Sequence, residues 1–253
     1  MFSETDLTQD AFLSGKLHLW QPLKGYRAAT DPVLLAAACP AAPGQSVLDL
    51  GCGAGTAALC LAARVPGLRL AGLELQPAYA DLASRNAYAN GIEMLVETGD
   101  LADMPAALRV SFDHVIANPP YYARSGSASP EAGRDTALRV STPLAAWVEA
   151  ASRRLAPGGC FTLICSTEGL PEVLAALGTR LGSVTVLPLC PRAGRPASRI
   201  LLRARKGGRS PFRLLAPLVI HEDGLPEASG RQTYTAQINA ILRDGASLSA
   251  EFC

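Results

Sequence analysis

Short apolar runs alternate with stretches of helical period along most of this chain. Residues 47–50 form an apolar run broken only by Asp49, and residues 57–64 continue with a helical pattern. A strand over 69–75 precedes a helix that opens at Pro77 and stops at Asn90-Gly91, after which 94–97 predicts a third strand. The fourth, 112–117, runs directly into Asn118-Pro119-Pro120-Tyr121. A helical period over 143–155, the breaker Pro157-Gly-Gly and an apolar run at 160–165 predict the next helix and strand. A helix over 170–181 then leads to a sixth strand at 183–189 and an antiparallel seventh at 197–204. Strands alternating with helices in this way predict an α/β fold with a doubly wound, Rossmann-like sheet, closed by an antiparallel C-terminal hairpin.

The ends of the chain are patterned differently. Residues 5–26 scatter single apolar positions among Gly15, Pro22 and Gly25, which suits a lid or a hairpin. Residues 33–39 are helix-like, with Asp31 expected as N-cap and Pro32 at the first helical position. Residues 122–140 are rich in Ser, Gly, Ala and Arg and predict a mobile loop. The tail reads as extended over 212–220, then polar, then helical over 235–242. With no repeat and no long linker, the expected organisation is an N-terminal lid or hairpin at 1–30, a principal domain at 31–206, and an extension at 207–253 packed on it.

The chemistry concentrates after the first strand of the sheet. Gly51, Gly53 and Gly55 clear side chains from a turn that feeds a helix N-terminus, so a ligand can approach the backbone there. A dinucleotide site spaces its glycines G-x-G-x-x-G and seats a pyrophosphate, which Asp49 would repel; an acid in front of G-x-G-x-G suits a ligand carrying positive charge. About twenty residues on, Glu74 closes the second strand, and two carboxylate oxygens match a vicinal diol.

The Asp-x-Gly-x-Gly-x-Gly pattern resembles motif I of the class I S-adenosylmethionine methyltransferases, and the seven predicted strands fit the sheet of that class. The resemblance implies that Asp49 meets the ammonium side of the methionyl group and that Gly51, Cys52, Gly53, Gly55, Glu74 and Leu75 surround the cofactor. Asp100 and Leu101 would meet its adenine, and Asn118 would lie against it from the neighbouring strand. The segment just upstream commonly folds over the cofactor in such enzymes, making Tyr26, Arg27, Thr30 and Asp31 candidates to touch it or the substrate.

Asn118, Pro119, Pro120 and Tyr121 form the expected catalytic group. An aryl amine or amide nitrogen has its lone pair delocalised and must pyramidalise before it attacks. The Asn118 side-chain oxygen and the Pro119 carbonyl can take the two N–H bonds on one side, the prolines fix the backbone, and Tyr121 offers a ring for a planar base. The combination resembles the amino-methyltransferases. Residues 21–35, with Tyr-Arg and Thr-Asp-Pro-x-Leu-Leu, joined to Asp49, Glu74, Gly99-Asp100 and Asn118–Tyr121, resemble the tRNA-1(valine) adenine-N6-methyltransferase family. The function implied is methylation of adenine N6 in tRNA; guanine N2 in rRNA, a protein glutamine, and RNA binding without turnover are the alternatives.

Composition adds a partner and a compartment. The net charge is only +1, yet Arg192, Arg195, Arg199, Arg203, Arg205, Lys206, Arg209 and Arg213 follow one another with no acid between them, which suggests a polyanion such as RNA. Arg124, Arg134 and Arg139 are further candidates for phosphate contact. Seven cysteines without C-x-x-C spacing read as buried hydrophobes of a reducing compartment. The acidic N-terminus has no apolar core and no run is long enough to span a bilayer, so the expected location is the cytoplasm. His18, His114 and His221 lack metal-ligand spacing, and no metal is expected.

Overall fold

The computed structural model describes residues 1–120, 142–222 and 233–252. The chain opens with an antiparallel hairpin, β1 (Leu7–Phe12) and β2 (Leu17–Pro22), paired from Leu7 opposite Pro22 to Phe12 opposite Leu17. Helix α1 (Asp31–Ala38) is followed by β3 (Ser46–Leu50), α2 (Thr56–Arg64), β4 (Arg69–Glu74), α3 (Pro77–Ala89), β5 (Met94–Thr98) and β6 (Phe112–Ala117). After the segment 121–141, which holds Tyr121, Arg124, Arg134 and Arg139 and lies outside the described residues, come α4 (Leu144–Arg154), β7 (Leu155–Ser166), α5 (Leu170–Leu177), β8 (Leu181–Cys190) and β9 (Arg199–Lys206). Two-residue strands β10 (Arg213–Leu214) and β11 (Leu218–Val219) and the short helix α6 (Ala236–Asn239) complete the chain.

The main sheet runs β10-β8-β9-β7-β6-β3-β4-β5, with β11 also on β8. Strands β3 to β7 are parallel, and β9 is antiparallel to both its neighbours. The seven expected strands therefore take the order third, second, first, fourth, fifth, seventh, sixth. Strands β10 and β11 add to the outer edge of β8, and two residues are too few to register as strands in a hydrophobic pattern.

Both faces of the sheet are covered, which is why β3 and β6 are apolar almost throughout. One core joins α1, α2, the β2 residues Leu17 and Leu19, and the tail residues Ile238, Ile241 and Phe252. The other lies under α4 and α5, where Leu144, Trp147, Val148 and Ala151 recur at helical spacing on the buried side of α4. A small third cluster of Leu7, Ala54 and Leu82, with Phe2 and Trp20 against it, fixes the hairpin to the glycine turn and α3.

The expectation for the start of α1 requires correction. The cap is Thr30; Asp31 sits inside the first turn, and its carboxylate pairs with Arg199 from β9. The six described cysteines are free and buried, and no described helix is long and apolar enough to cross a membrane.

Candidate functional site

The site forms where two adjacent strands end. Strand β3 pairs with β6 so that Leu50 stands opposite Ala117, and the chain leaves the two strands side by side into Gly51 and Asn118. That is the switch point of a doubly wound sheet, where a crevice opens at the carboxyl edge.

The glycine turn folds over the end of β4. The Cys52 N–H donates to the Leu73 carbonyl at 3.0 Å and the Gly53 N–H to Glu74 Oε2 at 2.9 Å. Gly51 has φ +64°, and a Cβ there would sit 2.5 Å from the indole of Trp147, so the turn needs glycine on both counts. Cys52 is buried, and Gly55, also at positive φ, is the N-cap of α2.

Asp49 points from β3 toward this turn and is only 2% exposed; its Oδ2 has no hydrogen-bond partner among the described residues. Burial pushes its carboxyl up to about 8, the Ala58 N–H at the start of α2 opposes that, and the neighbouring charge of Glu74 adds to it. A carboxylate so placed gains most from a cationic ligand. Glu74 is equally buried, but each of its oxygens accepts a backbone N–H, from Gly53 and from Gln76 at 2.9 Å. Its carboxylate is thereby oriented, and each oxygen keeps acceptor capacity for a hydroxyl.

At the next strand end, the Gly99 N–H bonds to the Glu74 carbonyl at 2.9 Å, which brings Asp100 beside β4. Asp100 is exposed and accepts the Ala102 N–H at 2.7 Å, while Leu101 is half-buried against the second core and Leu75 is partly exposed.

Across the crevice, Pro119 is buried and Asn118 and Pro120 are half-buried. The Asn118 Nδ2–H donates to the Tyr26 hydroxyl at 3.3 Å, and Asn118 Oδ1 is buried with no partner among the described residues. Tyr26 thus spans the site, its ring 3.8 Å from where a Gly53 Cβ would be. The 23–30 segment brings other residues elsewhere. Arg27 donates to Thr8 Oγ1, the Pro22 carbonyl and Asp10 Oδ2, which commits it to the hairpin and away from the crevice. Thr30 holds the N-cap position of α1 without a side-chain cap bond, its hydroxyl directed at Asp31.

The arginine run does not form one strip. Because β8 and β9 are antiparallel, with Leu189 opposite Arg199 and Leu181 opposite Lys206, Arg192, Arg195 and Arg199 lie at the carboxyl edge with the site, whereas Arg205, Lys206 and Arg209 lie at the other edge. Arg192 donates to the Glu222 carbonyl and Arg195 is exposed in the β8–β9 turn. Arg199, expected to meet phosphate, is turned instead onto Asp31. Arg203 bonds the Ala38 carbonyl at 2.6 Å and stacks over Phe252 at 3.9 Å.

Sequence reasoning passed over Tyr79, Asn86 and Trp147. Their only signal was two polar side chains on a helix face otherwise made of buried residues, at Tyr79 and Asn86. Among the described residues no group of His, Cys, Asp or Glu is arranged to hold a metal ion.

This strand order, with an acid-backed glycine turn on the central strand and a second acid on the next, is the architecture of the class I methyltransferases, enzymes that take their methyl group from S-adenosylmethionine. The buried Asp49, whose Oδ2 has no partner among the described residues, and the bare glycine turn fit that cofactor's cationic methionyl end. The chain belongs to the methyltransferase small domain family, which matches residues 29–188. It is 32% identical over 210 residues to a tRNA1(Val) (adenine(37)-N6)-methyltransferase of Porphyromonas gingivalis, covering 77% of this chain and 81% of the relative. A relative of the same name from Actinobacillus succinogenes is 29% identical, over 78% of this chain and 84% of its own. A solved structure of a "predicted O-methyltransferase" from Agrobacterium tumefaciens superposes with a TM-score of 0.69 at 27% identity, over 85% of this chain and 97% of that one. The Thermus thermophilus 16S rRNA N2 G1207 methyltransferase shares the fold, with a TM-score of 0.55 at 22% identity over 79% of this chain and 50% of its own.

Proposed function

We propose that this enzyme methylates an exocyclic amine of RNA, the N6 amine of adenine in a tRNA. The observation that carries the reading is the Asn118 carboxamide, whose oxygen is buried without a partner among the described residues, at a strand end beside the glycine turn. A planar amine has two N–H donors to give such a site. Asn118 Oδ1 and the Pro119 carbonyl take one each, and with both held on one side the lone pair turns out of conjugation. The same two acceptors stabilise the positive charge that grows on nitrogen, each contributing about 1.5–3 kcal/mol. No strong base is required, because the cationic product nitrogen sheds its proton to water. Pro119 and Pro120 keep the acceptors rigid, and Tyr121 is assigned the stacking of the base.

S-adenosylmethionine supplies a methyl group made electrophilic by its sulfonium sulfur. Toward it, Asp49 holds the ammonium group, Glu74 the ribose hydroxyls, Asp100 the adenine amine and Leu101 the ring face, with Gly51, Cys52, Gly53 and Gly55 lining the turn. Arg192 and Arg195, on the same edge, suit the phosphates of the RNA. The names of the relatives support tRNA over other amine-bearing substrates.

Purified protein incubated with bulk tRNA and tritiated S-adenosylmethionine should label the RNA, and nucleoside mass spectrometry should find N6-methyladenosine. Asn118→Ala should keep its cofactor affinity by calorimetry and lose about ten- to a hundredfold in kcat, the worth of one charge-assisted bond. Label appearing as N2-methylguanosine, or in protein while tRNA stays unlabelled, would overturn the adenine assignment.

A further inference from the structure

We infer that Tyr79 is a positioning residue for methyl transfer, acting through Tyr26 to hold the Asn118 carboxamide with its oxygen toward the substrate; the inference rests on the amine reading above. Tyr79 lies in the first turn of α3 and is 5% exposed. Its hydroxyl accepts the Tyr26 N–H at 2.8 Å and donates to the Tyr26 carbonyl at 3.2 Å, so one phenol grips both backbone polar groups of one residue. Phe2 packs edge-on against its ring at 5.2 Å. Gly25 has φ +108°, and a Cβ there would stand 2.8 Å from the Tyr79 oxygen, so the grip requires glycine at that position.

The same face of α3, extended to its C-cap Asn90, carries two further grips. Asn86 accepts the Trp20 N–H at 2.7 Å and donates to the Trp20 carbonyl at 3.0 Å and the Ala54 carbonyl at 2.9 Å. Asn90 accepts the His18 N–H at 3.0 Å and donates to the His18 carbonyl at 2.9 Å. Positions 79, 86 and 90 fall on one side of a helix, and their side chains treat residues 18, 20 and 26 as a paired strand would. The helix that holds the N-terminal segment therefore also holds the glycine turn, through Ala54, at a fixed distance from Tyr26.

The chain of contacts ends at chemistry. With Nδ2 donated to the Tyr26 hydroxyl, the Asn118 amide presents Oδ1 elsewhere, and an acceptor is what an amine substrate needs. Tyr79 itself touches neither Asn118 nor the glycine turn in any of these contacts.

Tyr79→Phe keeps the ring and deletes the grip. Its kcat should fall about tenfold, equivalent to about 1.4 kcal/mol, with the KM for tRNA little changed. Tyr26→Phe should lose a similar factor, and the double variant no more than the larger single loss, since both act on one pathway. Gly25→Ala, which disturbs the same hydroxyl from the opposite side, should reproduce the effect if Tyr79→Phe folds poorly. As a readout independent of substrate, trypsin should cut after the exposed Lys24 faster in Tyr79→Phe than in the parent. An unchanged kcat, or losses that add in the double variant, would overturn the inference even if cleavage quickens. If the parent protein labels no RNA yet Tyr79→Phe is cut faster, the amine reading fails while the grip on Tyr26 stands.

Discussion

An acid buried with one oxygen unmet among the described residues is costly to keep ionised, and at Asp49 the cost fixes how the site responds to pH. The carboxyl of the free protein loses its proton near 8, whereas a bound ammonium group favours the carboxylate. Binding therefore expels a proton, and affinity for S-adenosylmethionine should rise with pH and level off above about 8, weakening by up to tenfold per pH unit below it. Calorimetry between about pH 6 and pH 9, in buffers of different ionisation enthalpy, would detect the released proton. A flat Kd over that range would remove the ammonium from Asp49, and Asp49→Asn should abolish the slope. The placement of such residues was legible in the sequence because its signal is local: Asp49 belongs to the glycine turn behind it, and Asn118 to the prolines that follow. Tyr79 and Arg27 were not, because each takes its role from a contact that only the fold creates. Arg27 is adjacent to Tyr26 in the chain yet turns to the hairpin, where Asp10 receives it at 2.6 Å.

At the level of elements the predictable part was again the locally encoded part. The spans of β3, β4 and β6 follow from apolar runs buried on both faces, and the start of α3 from a proline at its first position. The pairing of α1 with β9 was hidden. An Asp-Pro at a helix start has a sufficient local explanation as a cap, and the true partner of Asp31 lies 168 positions further on. That pair joins the segment leading out of the crevice to β9, two strands beyond β6, with side chains 25% and 12% exposed for Arg199 and Asp31. Arg199→Ala removes the cation from a largely buried carboxylate. Loss of a fully buried pair costs about 3–5 kcal/mol, and partial exposure of the arginine reduces this to roughly 1–3 kcal/mol. For a chain of this size the midpoint of thermal unfolding should then fall by about 2–4 °C per kcal/mol. Arg195→Ala, in the exposed turn, should leave the midpoint in place. Asp31→Asn in the Arg199→Ala background should recover part of the loss, and a single variant as stable as the parent would show the pair to be energetically neutral.

The whole molecule decides which charges reach a partner. A run of arginines in sequence predicts a strip, but β9 crosses the sheet between Arg199 and Lys206 and so sets the start and the later part of the run at opposite edges. Arg205, Lys206 and Arg209 thus lie away from the crevice, and at the crevice edge Arg199 is neutralised by Asp31. Among the described residues of the run, the charge left at the edge beside Asn118 is that of Arg192 and Arg195, and these two are the ones proposed to meet RNA. Each phosphate neutralised releases condensed counterions, so affinity should fall with salt at a slope set by the number of contacts. Replacing Arg195 with alanine should lower that slope by about one, uniformly across RNA sequences. Arg209→Ala, at the opposite edge, should leave it unchanged although the net charge of the protein falls by the same amount. Filter binding of tRNA over a range of salt separates the two cases. Equal reductions in both variants would mean that RNA responds to the overall charge of the protein rather than to the edge at which the strands end.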